Sequence, residues 1–166
     1  MMDVVQAEDT TMITIKKILF PTDFSDCAQT AGTYALALAG QFQAELHVLN
    51  VLADALMMMP EPSSALSLPQ NYLLDLKQEA ERALAKVLPE AEKSGCHVVR
   101  VLRMGNPYAE IVQYAEGTET DLIVVGTHGR GAIAHFLLGS VAEKVVRKAH
   151  CPVLTVRPAG HQFVTT

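Results

Sequence analysis

Short apolar runs alternate along the chain with longer stretches in which apolar residues recur every three or four positions. Runs of the first kind predict buried strands, and stretches of the second kind predict helices that pack one face against a sheet. Since the two kinds alternate, the pattern predicts an α/β domain with a parallel, doubly wound sheet and right-handed crossovers. The predicted strands cover residues 16–21, 45–52, 96–102, 122–125 and 152–156.

Two helices are predicted in the first half of the chain. The first begins at Ser25 or Asp26, both common N-cap residues, carries a face of alanines and leucines, and ends near Gly40. The second covers residues 73–92, where leucines and alanines lie on one side and charged residues on the other. Pro89 is expected to kink or end this helix, because proline lacks the N–H that a helix interior needs.

Two more helices are predicted in the second half. Pro107 begins one of them, because proline is tolerated in a first helical turn, and Gly117 ends it. The other covers residues 141–149. Ser140 stands three residues before Glu143, which is the spacing of a capping box, so Ser140 is expected to cap this last helix.

The chain is predicted to contain one domain with a leader before it, a tail after it and one long loop within it. Residues 14–158 contain every predicted element, so one domain is expected there. Residues 1–13 lack periodicity and are expected to form a flexible leader, and residues 159–166 a polar tail. Three prolines between residues 53 and 70 exclude a regular element and predict a long surface loop. Its methionines at 57–59 suit either a cover over a ligand or partner, or a connector without a further role.

Composition and charge exclude several classes of function. The 13 basic residues are scattered, and the net charge is −5, so no nucleic-acid partner is expected. No apolar run reaches the roughly 18 residues that a membrane span requires, so no membrane partner is expected. The N-terminus lacks the pattern of a signal peptide, and three widely spaced cysteines without a CxxC motif favour reduced thiols. We therefore expect a cytoplasmic protein.

A glycine-rich junction between residues 121 and 146 carries the strongest indication of function. The apolar run that ends at Gly126 is followed by Gly129, Gly131 and Gly139 before the last helix begins. Glycines allow backbone N–H groups to approach a phosphate, and a helix N-terminus adds unpaired N–H groups and the positive end of its dipole. The junction therefore predicts an anion-binding loop, although it lacks the spacing of a P-loop or a dinucleotide-binding loop.

The spacing of these glycines matches another pattern. Two residues separate Gly126 from Gly129, and nine separate Gly129 from the pair Gly139-Ser140. This arrangement resembles the nucleotide-binding signature of the ATP-binding branch of the universal stress protein family. The resemblance covers residues 14 to 158 and also rests on the segments at 21–23, 46–51, 105–107 and 151–156.

The resemblance implies a fold, a ligand and a site. The fold is similar to the adenine nucleotide alpha hydrolase-like proteins, with five strands in the order 3-2-1-4-5, so that strands one and four end together where open α/β sheets bind ligands. The ligand is ATP, or AMP or another adenine nucleotide, with Mg²⁺ or Mn²⁺ held through the phosphates. The implied contacts are Pro21, Thr22, Asp23 and Val51 toward the adenosine, and Gly126, Gly129, Arg130, Gly139, Ser140, Val141 and Ala142 at the phosphates and ribose.

The resemblance also implies a homodimer. In it the last strand, Val153–Val156, pairs with its copy in a second subunit, and such pairing is self-complementary as a two-fold interface requires. An edge strand exposes unpaired backbone groups that a protein must use or cover. The alternative is therefore an edge covered by the leader or the tail.

The expected function is a nucleotide-dependent regulatory or protective module in the stress response. Two alternatives stay open: slow ATP hydrolysis or transfer of a phosphoryl or nucleotidyl group, and a dimer that works through protein contacts alone. No catalytic residue is assigned, because the sequence near His128 shows neither a paired carboxylate nor a metal triad. Asp23 is the only carboxylate expected near the phosphates.

Overall fold

A five-stranded parallel sheet with the strand order 3-2-1-4-5 organises the chain, which confirms the order that the resemblance implied. The computed structural model describes residues 13–53, 71–91, 93–129 and 138–158. No helix in this part of the chain combines the length and the apolarity needed to cross a bilayer. The strands are β1 Lys17–Pro21, β2 Glu45–Ala53, β3 Val98–Gly105, β4 Leu122–Gly126 and β5 Val153–Val156, and the helices are α1 Asp26–Phe42, α2 Tyr72–Ala85, α3 Pro107–Gly117 and α4 Ser140–Lys148.

The centre of the sheet is formed by β1 and β4 because their side chains are apolar on both faces. Ile18, Leu19 and Phe20 in β1 are fully buried, as are Ile123 and Val124 in β4. A strand that is covered on both faces needs a continuous apolar run rather than an alternating one. The continuous apolar runs in the sequence therefore correspond to these two strands.

Helices cover both faces of the sheet and enclose two apolar cores. On one face, Ala35 of α1 and Leu84 of α2 pack against the strands. On the other face, Ile111 of α3 and Val145 of α4 do the same. This division is that of a doubly wound fold, in which successive crossover helices lie on either side of a parallel sheet.

The second helix is shorter than predicted. α2 ends at Ala85, with Lys86 as its C-cap, so the predicted range 73–92 is wrong in its last turns. Proline disfavours helical geometry at the residue that precedes it. Leu88, just before Pro89, is outside the helical region with a left-handed φ of +53°, and turns lead from there to the third strand.

The third strand lies further along the chain than predicted. β3 pairs with β2 from the partners Leu46 and Val98 to the partners Ala53 and Gly105, whereas the prediction covered 96–102. β3 is an edge strand, and Met104 near its carboxyl end is half-exposed. An exposed edge does not produce the apolar run on which the prediction depended. The other predicted elements agree with the structure to within two residues at each end.

The three cysteines are free thiols, as the sequence predicted. Cys27 is buried, and its Sγ lies 3.6 Å from the carbonyl oxygen of Val156. Burial raises the pKa of the Cys96 thiol and of the Cys151 thiol. A raised pKa keeps a thiol protonated and poorly nucleophilic near neutral pH.

Candidate functional site

A cavity of about 610 Å³ opens at the carboxyl ends of the central strands. β1 and β4 are neighbours there, and the winding of the sheet reverses between them. This is the crevice in which open α/β sheets bind their ligands. Arg130 lies outside the described residues, and all other predicted site residues line the cavity. These are Pro21, Thr22, Asp23, Val51, Gly126, Gly129, Gly139, Ser140, Val141 and Ala142.

Asp23 occupies the tight segment between β1 and α1. Its Oδ1 accepts hydrogen bonds from the backbone N–H of Ser25 at 3.1 Å and from the hydroxyl of Ser25 at 2.6 Å. Ser25 is the N-cap of α1, as predicted, and its Oγ accepts from the N–H of Ala28 at 3.3 Å. The other oxygen of Asp23 faces the glycine loop, since a Cβ added at Gly129 would lie 2.7 Å from Oδ2. Asp23 thus stabilises the turn into α1 and also forms part of the cavity wall.

Two further glycines of the signature lie where a side chain would meet the backbone of a neighbour. A Cβ at Gly126 would be 3.0 Å from the Sγ of Cys27 and 3.2 Å from its carbonyl group. A Cβ at Gly139 would be 3.1 Å from the carbonyl oxygen of Thr127, and the N–H of Gly139 donates to that same oxygen at 2.6 Å. The glycines therefore permit α1 and α4 to approach the end of β4 closely.

The last helix begins differently from the prediction. Gly139 is the N-cap of α4, and Ser140 is its first helical residue, without a side-chain cap. Glu143 forms an ion pair with Arg147 at 3.2 Å, so the predicted capping box is wrong. Glu143 also lines the cavity. Asp23 is consequently not the only carboxylate near this end of the site, contrary to the prediction.

The N-terminus of α4 supplies hydrogen-bond donors to the cavity wall. The hydrogen bond from the N–H of Glu143 to the carbonyl of Gly139 closes the first turn of the helix. The N–H groups before it have no acceptor within a helix, and they carry the positive end of the helix dipole. This end of the cavity therefore suits an anion. The residues that precede the first intrahelical donor are Ser140, Val141 and Ala142, all in the cavity wall.

Thr127 and His128 complete the wall at the end of β4. Thr127 is buried, and its N–H donates to the carbonyl of Val156 at 2.8 Å, which extends the pairing of β4 and β5 into the loop. The Oγ1 of Thr127 lies 3.0 Å from the Nδ1 of His128. The imidazole thus has an orienting partner that the sequence did not reveal, because nothing marks a threonine after a strand as more than a loop residue.

The opposite wall of the cavity is apolar and was missed from the sequence. Leu49 stands two positions before Val51, on the same face of β2, and Ile111 stands one helical turn after Pro107 in α3. Strand and helix periodicity were the available signals for these positions. An apolar wall beside a donor-rich end suits a ligand with a flat apolar part and an anionic part. The apolar lining residues that were missed are Ala28, Leu49, Pro107, Ile111, Val125 and Leu138.

Comparisons with known proteins agree with this fold. The chain is 39% identical over 147 residues to universal stress protein MJ0531 of Methanocaldococcus jannaschii, covering 86% of this chain and 82% of that protein. The solved structure of MJ0577 from the same organism superposes with a TM-score of 0.78 at 32% identity, covering 90% of this chain and 100% of that one. A universal stress protein solved in complex with cAMP superposes with a TM-score of 0.66 at 25% identity, covering 89% of this chain and 100% of that one.

The match extends beyond single relatives. Residues 14–157 match the universal stress protein family as a whole, which is nearly the range predicted for the domain. The strand order, the glycine spacing and the crevice between β1 and β4 lie within that range. The chain is therefore a member of the universal stress protein family.

Proposed function

We propose that the chain binds ATP in this cavity and acts in the cytoplasm as a nucleotide-dependent regulatory or protective module of the stress response. The observation that carries the proposal is the convergence of the predicted contacts, since every one of them within the described residues lines the same cavity. They come from the ends of three strands and from the start of α4. If these residues were only turn glycines and helix caps, they would not need to line one cavity.

The two ends of the cavity suit the two ends of the nucleotide. In this proposal the phosphates lie at the glycine loop and the N-terminus of α4, where N–H donors and the helix dipole favour negative charge. The adenosine lies toward Asp23 and Val51, and the side chains of Leu49 and Ile111 flank the base. The cAMP complex of a relative supports an adenine nucleotide as the ligand. AMP and other adenine nucleotides are alternatives that share these contacts.

A divalent cation belongs to the proposal through the phosphates rather than through a protein cage. Among the residues that the structure describes, no three histidine, cysteine or acidic side chains group closely enough to hold a metal ion. Mg²⁺ is commonly bound by one or two carboxylates together with substrate phosphates. Asp23 and Glu143 in the cavity wall are the carboxylates available for this role, for Mg²⁺ or for Mn²⁺.

The homodimer is the second part of the proposal. β5 forms one edge of the sheet, and Leu154 in it is 37% exposed although it is a large apolar residue. Pairing of two copies through Val153–Val156 satisfies the backbone groups of the edge and covers this side chain. The leader and the tail, which could cover the edge instead, lie outside the described residues.

The direct test is to denature the purified protein, recover any small molecule that copurified, and identify it by mass spectrometry. Calorimetric titration of the stripped protein with ATP and Mg²⁺ accompanies it. We expect recovered adenine nucleotide, or rebinding with micromolar affinity, which corresponds to about 8 kcal/mol. If no nucleotide is recovered and titration gives no heat, the ATP proposal is wrong, and the dimer surface becomes the functional candidate.

Substitution of the loop glycines is the sharper test. Gly129→Val and Gly139→Val place carbon atoms against Asp23 and the backbone of Thr127, so each should weaken ATP binding at least about tenfold while the protein stays folded. The matched control is Gly40→Ala, because a Cβ at Gly40 meets no heavy atom within 4 Å. Unchanged affinity in both valine variants would contradict the assignment of the phosphates to this loop.

Slow ATP hydrolysis is the second candidate, and one observation favours it. The hydrogen bond between Thr127 and His128 fixes an imidazole in the cavity wall, as a general base requires. Release of phosphate from ATP by the wild type should be compared with that by His128→Ala and Asp23→Ala. Turnover that disappears in these variants supports an enzyme, whereas turnover that persists unchanged excludes these residues as its catalysts.

A further inference from the structure

The side chain of Asn50 joins β2 to the segment that follows β1. Asn50 is 4% exposed, and its Nδ2 donates a hydrogen bond to the carbonyl oxygen of Thr22 at 2.7 Å. The N–H of Thr22 donates in turn to the carbonyl of Leu49 at 2.8 Å. Two hydrogen bonds from adjacent residues of β2 therefore hold Thr22 one position beyond the end of β1.

Beyond Thr22 the chain bends sharply into α1. Phe24 has a φ of +66°, which L side chains rarely adopt, and its N–H donates to the Oγ1 of Thr22 at 3.1 Å. Asp23 lies between Thr22 and Ser25, and Ser25 donates two hydrogen bonds to the Oδ1 of its carboxylate. The position of Asp23 in the cavity wall thus depends on an anchor at each end of this bend. Ser25 is the anchor on the helix side, and Asn50 through Thr22 is the anchor on the sheet side.

Asn50 is not part of the cavity wall. Its neighbours Leu49 and Val51 line the cavity, and side chains alternate along a strand, so Asn50 faces the other side of the sheet. Any influence of Asn50 on a ligand must pass through Thr22 and Asp23.

The side-chain amide of Asn50 makes an uneven set of contacts with the described residues. Its Oδ1 is buried and accepts no hydrogen bond from the described residues. Burying a polar atom without a partner opposes folding, and an apolar side chain of similar size avoids that penalty. The one hydrogen bond that the amide makes with the described residues goes to the segment that carries Asp23.

We infer that Asn50 is a positioning residue for the adenosine end of the nucleotide site, where it holds Thr22 so that Asp23 faces the cavity. The inference rests on the proposed ATP binding and extends it to a residue that contacts no ligand. Without the amide, the bend from Thr22 to Ser25 loses one of the two hydrogen bonds that anchor it on β2, and only the backbone hydrogen bond from Thr22 to Leu49 remains. Asp23 then samples other positions, and the affinity for the adenosine part of the ligand falls.

The test compares Asn50→Leu, which removes the amide at similar size, with Thr120→Val. Thr120 is likewise buried and loses a hydrogen bond to Thr118, but it precedes the amino end of β4, at the opposite end of the sheet from the cavity. Calorimetry with ATP and with adenosine should show both ligands weakened by about the same factor, tenfold or more, in Asn50→Leu and by less than about twofold in Thr120→Val. A general loss of stability does not change the affinity of the folded protein.

Affinities in Asn50→Leu within about twofold of the wild type for both ligands would overturn the inference, as would an equal loss in Thr120→Val. Asn50→Asp provides a second variant of the same shape if the leucine variant does not fold. At a pH where its carboxyl group is ionised, this variant has no proton to donate to Thr22, so the same loss is expected there.

A measurement on the ligand-free protein separates this inference from the proposed function. The amide hydrogens of Phe24 and Ser25 should exchange at least about tenfold faster in Asn50→Leu than in the wild type, and at the wild-type rate in Thr120→Val. A wild type that binds no nucleotide refutes the proposed function, while the exchange rates still report whether Asn50 holds the bend. Exchange that is unchanged in Asn50→Leu overturns the positioning role whatever the ligand.

Discussion

Glu45 shows how a single side chain can link the surface of this protein to its core. Its carboxylate oxygens lie 2.5 Å from the Nε2 of His47 and 2.6 Å from the Nδ1 of His97. His47 is buried, and its other ring nitrogen lies 2.6 Å from the hydroxyl of Tyr114. The hydrogen bond from His47 is the largest cause of a lowered pKa at Glu45, and it outweighs the opposing effect of burial.

This lowered pKa predicts a specific pH dependence of stability. A carboxylate whose pKa is lower in the folded state stabilises the protein above its unfolded pKa, and this contribution is lost as the pH falls through the folded pKa. Glu45→Gln should therefore lower the free energy of unfolding near pH 7 by up to about 1 kcal/mol, a small value because the carboxylate is partly exposed. The difference from the wild type should begin to shrink as the pH falls below the ordinary glutamate pKa of 4.5, and it should vanish below the lower pKa that Glu45 has in the folded state.

Urea unfolding of both proteins between pH 3 and pH 7 measures this difference. Glu116→Gln, at an exposed position of α3, is the control and should match the wild type throughout. A Glu45→Gln difference of the same size at every pH would exclude ionisation of Glu45 as its cause.

At the scale of elements, the close approach of α1 to the sheet determines where the site lies. A Cβ at Gly32 would be 2.9 Å from the ring of Phe20, and one at Gly126 would touch Cys27. Alanines fill the rest of the buried face of α1. Small residues at the contact allow the helix to lie near the strands, and the bend that carries Asp23 is thereby brought over the end of β4.

Gly126→Ala should therefore act on the packing of elements rather than on phosphate contacts alone. The added Cβ meets the Sγ and the backbone carbonyl of Cys27 at 3.0 to 3.2 Å, so α1 must shift. We expect a loss of about 1–3 kcal/mol in the free energy of unfolding, as for other overpacked cores. Combining it with Cys27→Ala should restore only part of the loss, because the carbonyl contact stays.

Denaturant unfolding checks this prediction. Gly40→Ala, in the exposed part of the same helix, is expected to be neutral or slightly stabilising, since glycine lowers helix stability relative to alanine. If Gly126→Ala is as stable as Gly40→Ala, the close contact between α1 and β4 does not limit the packing.

At the scale of the whole molecule, the proposed dimer edge and the proposed nucleotide site are adjacent. The carbonyl of Val156, the last residue of β5, accepts the N–H of Thr127, which begins the glycine loop. The same carbonyl is the nearest acceptor to the thiol of Cys27. The end of β5 is thus part of the support beneath the loop.

Leu154→Lys should weaken the proposed dimer. Two-fold pairing of β5 brings the two copies of this side chain to one interface, and like charges there oppose association by about 2 kcal/mol or more. Sedimentation at several concentrations measures the effect, and Leu74→Lys on the exposed face of α2 is the matched control. Equal association of both variants would argue against β5 as the interface, and a wild-type monomer would argue against the dimer itself.

Local patterns in the sequence determined the elements wherever neighbours along the chain decide the outcome. The apolar run at β4, the N-cap at Ser25 and the helix that starts at Pro107 were all predicted and are all present. The prediction failed where a local pattern competes with a non-local one. Ser140 has the spacing of a cap, but the hydrogen bond of Gly139 to Thr127 makes Gly139 the residue that enters α4.

The prediction of the site likewise depended on local patterns, which do not contain the contacts between distant segments. Glycine spacing identified the loop, and the resemblance to a family supplied the order of the strands and the partners of the loop, neither of which periodicity contains. The sequence by itself determined which segments become strands and helices, because hydrophobic period, caps and prolines act over a few residues. Only the tertiary structure decided that Asp23 faces Gly129, that Leu49 and Ile111 form an apolar wall, and that Asn50 holds the bend, because contacts between distant segments depend on how the sheet is assembled.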